Sequence, residues 1–155
     1  MFVGKPAPDF TLKDQNNKDV TISSFKGKKN LVILFYPLDW TPVWSLELPA
    51  CHDLQEDFES LDTQVLGISV DSVHSHKAFG QKLKLNLTLL SDFHRDVSKL
   101  YGVYLEEEGI SARATFIVDK KGIIRYQLIN DIAIKRDEKE LIRVLKEINH
   151  GSCAG

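Results

Sequence analysis

The chain has 155 residues and a mass of 17.6 kDa, within the usual size of one domain, about 100–200 residues. Hydrophobic residues make up 43% and charged residues 27%, a soluble globular balance rather than that of a disordered chain. Lys plus Arg number 20 and Asp plus Glu 22, a formal net charge of −2, so electrostatics give no ground for nucleic acid or an anionic membrane as partner. The longest apolar run, Leu31 to Tyr36, falls far short of the roughly 20 residues a bilayer span needs. Met1-Phe2-Val3 passes at once to Gly4-Lys5-Pro6 without an apolar h-region, so no secretory signal is expected. Two cysteines, Cys51 and Cys153, cannot make a secreted disulfide framework, and a reducing, cytoplasmic setting is expected.

In chain order, Gly4 to Leu12 reads as an extended entry that Pro6 and Pro8 keep out of helix. The polar turn Asp14-Gln15-Asn16-Asn17-Lys18 sits between two short runs that can pair as a hairpin. Leu31 to Tyr36 is continuously apolar, the pattern of a strand covered on both faces, and Pro37 ends it. Leu46, Ala50, Leu54 and Phe58 then fall at helical spacing and predict a helix from near Ser45 to Ser60. Gln64 to Val70 is a second buried strand, and Asp71 or Ser72 can cap a helix running to about Leu83. Thr88 to Leu90 is a short strand, and a helical turn or two follows over Arg95 to Tyr101. Ala114 to Val118 and Ile123 to Leu128 are strands joined by the tight turn Asp119-Lys120-Lys121-Gly122. Asp137-Glu138-Lys139-Glu140 has capping-box spacing and opens a last helix whose Leu141, Val144, Leu145 and Ile148 share a face. Strands alternating with helices, then a hairpin and a closing helix, predict an α/β fold around a central mixed sheet.

The stretch from Tyr36 to Glu47 carries the chemistry. Two prolines, Pro37 and Pro42, straddle a loop that leaves a buried strand and enters a helix N-terminus, where unpaired backbone N–H groups and the helix dipole favour an anion. That is where a low-pKa cysteine or a phosphate would sit. Neither GxGxxG nor GxxxxGK[ST] occurs in the chain, so the thiol reading leads over the phosphate reading.

Pro37-x-x-x-Thr41-x-x-Trp44 resembles the PxxxTxxC signature of peroxiredoxins, with tryptophan where the peroxidatic cysteine belongs. The likeness covers nearly the whole chain. Ser69-Val70-Asp71-Ser72 followed by Ser75-His76 is similar to the SVDS…SH segment of the typical two-cysteine group, which includes the peroxide-reducing component of bacterial alkyl hydroperoxide reductase. Leu89 to Asp92, Tyr101 to Val103, Glu108 to Ser111, Arg113 to Asp119, Asn130-Asp131, Arg136 and the tail His150 to Cys153 follow in the family's order. The resemblance implies a thioredoxin-like fold in its peroxiredoxin elaboration, one domain over residues 1–155 with residues 149–155 as a tail carrying the resolving cysteine, Cys153. It implies reduction of hydrogen peroxide and organic hydroperoxides without a cofactor or metal. Arg113 would stabilise thiolate and transition-state charge, Thr41 would orient the peroxide, and Pro37 would shield the pocket, with Glu47 and Arg136 aligning Arg113. A homodimer through the strand near Ile123 to Leu128, a ring of five such dimers, and a thioredoxin-like or flavoprotein disulfide reductase complete the implied partners.

Trp44 removes the first step, because an indole N–H is a donor and no nucleophile toward peroxide. The expectation is therefore a peroxidase-dead chain on a peroxiredoxin scaffold, an active-site variant whose surroundings still fit a working pocket; the alternative is a non-catalytic oligomeric scaffold or holdase. Tryptophan is also far larger than cysteine, so the first helical turn, around Val43 to Leu48, is expected to unwind or shift. Cys51, seven residues beyond position 44 and so roughly 10 Å along a helix, reads as a small core residue rather than a disulfide partner. His74 and His76 have HxH spacing but no evident third ligand, and are read as a solvated helix start rather than a metal site. Lys26 to Asn30 is read as a solvated turn, and Trp40 as either a subunit contact or a chance exposure.

Overall fold

Leu31, Ile33 and Phe35 contribute to one hydrophobic cluster and Val32, Leu34 and Tyr36 to another, and all six are buried. Strand side chains alternate between faces, so a sheet covered on both sides needs an unbroken apolar run at its centre. This is strand β3 (Asn30–Phe35) of a computed structural model that describes residues 2–40, 55–84, 87–130 and 138–154. The side chains of residues 55, 130, 138 and 150–154 lie outside the description.

The sheet around β3 has seven strands in the order β2-β1-β5-β4-β3-β8-β9. Its members are β1 (Thr11–Asp14), β2 (Asp19–Thr21), β4 (Thr63–Ser69), β5 (Thr88–Ser91), β8 (Arg113–Val118) and β9 (Ile124–Asn130). β3, β4 and β5 run parallel, while β8 pairs antiparallel with β3, β9 with β8, and β1 with both β2 and β5. One face is covered by the 3₁₀ turn Ile22–Phe25 and helix α3 (Asp96–Leu100), which bring Ile22, Val97 and Tyr101 against β3 and Phe116. The other is covered by α1 (Gln55–Ser60), α2 (Val73–Leu83) and α4 (Glu138–Ala154), through Phe58, Phe79, Leu141, Leu145 and Ile148.

The local signals act as their chemistry requires. Asp14 Oδ1 accepts from the Asn16 and Lys18 amides at 2.8 and 3.0 Å, closing the β1–β2 hairpin with Asn17 at φ 63°. The Ser72 hydroxyl accepts from the Ser75 amide at 3.1 Å and caps α2, so Ser72 rather than Asp71 is the N-cap. In the β8–β9 turn Asp119 Oδ1 accepts from the Lys121 and Ile123 amides at 2.9 and 3.0 Å, and Gly122 takes φ +82°, a left-handed conformation that favours glycine.

Two elements have no counterpart in the sequence reading: the 3₁₀ turn and a two-stranded ribbon, β6 (Tyr104–Leu105) with β7 (Ile110–Ser111). α4 is helical through Ala154, so residues 149–154 continue a helix instead of forming a separate tail. The predicted helix from Ser45 is described only over Gln55–Ser60. Its first turns, and the unwinding expected there, lie outside the described residues, as does Asp137 of the capping box.

Phe116 is fully buried and packs edge-on against Phe35 and Tyr101, with ring centroids 5.8 and 5.2 Å away. Phe116→Ala is expected to lower unfolding free energy by about 3–5 kcal/mol, measured by chemical denaturation; a loss under about 1 kcal/mol would show that this face is not the tight core described.

Candidate active site

The carboxyl ends of β3, β4 and β5 lie together, the position where open α/β sheets expose their functional loops. Tyr36 and Pro37, both buried, leave β3 there. The register Phe35↔Ala114 brings the start of β8 to the same end, and the Ser111 hydroxyl fastens it by donating to the Tyr36 carbonyl at 3.1 Å. Arg113 opens β8 with 1% of its surface exposed. Ala114, Phe116 and Val118 belong to the α3-side cluster, so alternation puts Arg113 on the opposite face, the one Tyr36 shares. A guanidinium so far from water is retained only where acceptors or anions meet it.

Of the other predicted site residues, Thr41, Trp44, Glu47 and Arg136 lie outside the described residues, as does Cys51. Cys153 is on the last turn of α4, with its side chain undescribed. Pro37 and Arg113 are thus the pair whose side chains are described, and they share one end of adjacent strands.

Beside them is a group that the sequence reading did not assemble. The Tyr36 hydroxyl donates to Asp39 Oδ1 at 2.6 Å, and the Ser75 hydroxyl donates to Asp39 Oδ2 at 2.8 Å. His76 Nδ1 is 2.8 Å from Asp39 Oδ2, and its Nε2 is 2.9 Å from the Leu90 carbonyl. Asp71 Oδ2 accepts from the Asp39 amide at 2.7 Å and from the Ser69 hydroxyl at 2.6 Å. Burial first, and then the Asp39 charge, hold the Tyr36 phenol well above its ordinary pKa, so it remains a donor. The expectation of a solvated HxH pair is corrected: His74 is exposed, but His76 is wholly buried. The reason is helical phase, since His76 and Phe79 are three residues apart on the core side of α2. The available signal was an imidazole at that phase, following a strand that ends in Ser69 with Asp71 two residues on.

Trp40 stands at φ 69°, unusual for a bulky residue, with its ring edge-on to Phe79 at 5.0 Å and 52% of its surface exposed.

Residues 3–127 match the model of the AhpC/TSA family. The chain belongs to that family. Among its relatives, the chloroplastic 2-Cys peroxiredoxin BAS1 of Hordeum vulgare is 39% identical over 159 residues, covering 96% of this chain and 76% of the relative. The mitochondrial 2-Cys peroxiredoxin of Plasmodium falciparum superposes with a TM-score of 0.90 at 38% identity, over 99% of this chain and 97% of that one. The reduced 2-Cys peroxiredoxin of Plasmodium vivax gives 0.92 at 34% identity, over 98% and 84%. These likenesses put the chain with the typical two-cysteine peroxiredoxins, on their thioredoxin-like fold. It is a peroxiredoxin scaffold of a peroxidase family. Among the described residues no helix is long and apolar enough to cross a membrane.

Burial raises the Asp71 pKa, against the lowering effect of its Ser69 hydrogen bond. A carboxyl raised in the folded state favours its protonated form there, so its stabilising contribution is present at low pH and is lost as pH rises through the folded value. Asp71→Asn, which keeps an acceptor oxygen, is therefore expected to gain stability relative to the parent as pH rises from about 4 to about 7. Urea unfolding across that range reads the difference, and an Asp71→Asn stability that falls or stays level relative to the parent as pH rises would contradict the assignment.

Proposed function

We propose that this chain is the scaffold of a cysteine-dependent peroxidase for hydrogen peroxide and organic hydroperoxides, silenced by Trp44. The observation that carries the reading is the wholly buried Arg113 at the strand end that also bears Pro37. Such a cation, in a water-poor site, lowers the cost of a thiolate and of the charge spread over two peroxide oxygens.

With cysteine at position 44, the thiolate attacks one peroxide oxygen, the O–O bond breaks, and the leaving oxygen takes a proton to depart as water or an alcohol, leaving a sulfenic acid. Arg113 holds the charge, Thr41 orients the peroxide, Pro37 excludes water, and Glu47 and Arg136 align the guanidinium. Cys153 of a second subunit then condenses with the sulfenic acid, releasing water and forming an intermolecular disulfide. Two electrons from a thioredoxin-like or flavoprotein disulfide reductase restore both thiols. No cofactor or metal enters this sequence of steps. A homodimer is supported by the exposed Leu128 and Ile129 on β9, an edge of the seven-stranded sheet; a ring of five dimers, a single domain over residues 1–155 and a reducing cytoplasmic setting complete the proposal.

As written, the chain is expected to consume no peroxide beyond the background of its free thiols. Trp44→Cys is expected to restore rapid consumption with reductant present, and, when oxidised, a covalent dimer on non-reducing gels that Cys153→Ser abolishes. A folded Trp44→Cys protein without turnover would overturn the peroxidase reading in favour of a non-catalytic oligomeric scaffold or holdase.

A further inference from the structure

We infer that His76 is a positioning residue for the candidate site: a buried imidazole bearing hydrogen on both ring nitrogens, whose ion pair with Asp39 clamps the loop running from Pro37 to Trp40 onto α2 and β5. The clamp is argued from geometry alone; only its consequence for turnover rests on the peroxidase reading.

The hydrogen-bond directions require both hydrogens. Nε2 faces the Leu90 carbonyl at 2.9 Å, and a carbonyl only accepts, so Nε2 carries one. Nδ1 faces Asp39 Oδ2 at 2.8 Å. A bare Nδ1 there would set its lone pair against a carboxylate lone pair, so a second hydrogen must lie between them. It belongs on the ring side. Asp39 already receives Tyr36 on one oxygen and Ser75 on the other, the pattern that stabilises a carboxylate over a carboxylic acid.

The other facing groups agree. The ligating atoms of Asp39, Asp71 and His76 all lie within 4.8 Å of one another, so two carboxyl groups flank the ring. From just after β3 the Tyr36 phenol comes within 3.3 Å of Nδ1. The same three side chains are candidates for a metal, but their contacts argue otherwise. Two ligands on a tetrahedral zinc stand roughly 3.3 Å apart, whereas Nδ1 and Oδ2 are at hydrogen-bond distance, 2.8 Å.

The clamp has mechanical content because its members come from separate elements. Asp39 is on the loop after β3, His76 and Ser75 on α2, and Leu90 on β5. The Asp39 amide is held in addition by Asp71, just beyond β4. Residue 40 is next to the clamp and residue 44 only four further on. A loop fixed at Asp39 presents Trp40 to Phe79 and fixes where the chain enters the candidate pocket.

Two readouts decide the proposal. With ¹⁵N-labelled histidine in the full chain, the His76 ring is expected to show both nitrogens bonded to hydrogen and slowly exchanging; His76→Gln identifies the signals by their loss. A His76 ring with one bare nitrogen would overturn the assignment. Trp44→Cys leaves Trp40 as the one tryptophan, and adding His76→Gln is expected to raise its acrylamide quenching at least twofold; unchanged quenching in a folded protein would overturn the clamp. Should His76→Gln fail to fold, Asp39→Asn, which removes the anion and turns one acceptor oxygen into an N–H donor, is expected to abolish the second ring hydrogen and to loosen Trp40 likewise. In the Trp44→Cys background, His76→Gln is expected to lower kcat/KM for peroxide about tenfold, and an undiminished rate would overturn the positioning role. An inactive Trp44→Cys protein counts against the peroxidase reading alone, because the nitrogen and quenching readouts do not depend on turnover.

Discussion

One constraint organises this molecule: a group of polar and charged side chains is buried where β3, β4 and β5 end together, in a sheet that is covered on both faces. Arg113, Asp39, His76, Ser69 and Asp92 each have at most 5% of their surface exposed. The cost of removing such groups from water is several kcal/mol apiece unless partners replace it. The partners are supplied by geometry. Parallel β3, β4 and β5 end together, so the segments after them can bond to one another across the strand ends. Asp92 shows the pattern in its simplest form, accepting from the Val97 and Ser98 amides and the Ser98 hydroxyl to start α3. The Asp39 group does the same across three elements.

Most of the framework was legible because it depends on repeating signals. The unbroken apolar run at β3 predicts a strand with two covered faces, and two separate clusters meet it. The Asp14 and Asp119 turns and the Ser72 cap work through local side-chain bonds, which sequence spacing encodes directly. The ribbon of β6 and β7 was not legible, since two residues per strand are too few to display a period. The 3₁₀ turn at Ile22–Phe25 was hidden likewise, its one buried residue giving no periodicity.

The candidate site divides in the same way. Pro37 and Arg113 were singled out through a motif and a strand start, and both are buried at neighbouring strand ends. His76 was misread because HxH spacing suggests two ligands on one exposed surface. On a helix, however, residues two apart point roughly 200° from each other. One of such a pair therefore faces water when the other faces the core, as His74 and His76 do.

The buried polar groups at this end are tied to the framework from separate elements. Arg113 is carried by β8, paired with β3, while the Asp39 group joins the loop after β3 to α2 and β5. The hydrogen bonds described for the Asp39 group run from Tyr36 and Asp39 to Asp71, Ser75 and His76, and from His76 on to Leu90, so this end of the sheet is tied across four elements. The positive charge of Arg113 is carried into this end by β8, and a cation so buried favours negative charge near it.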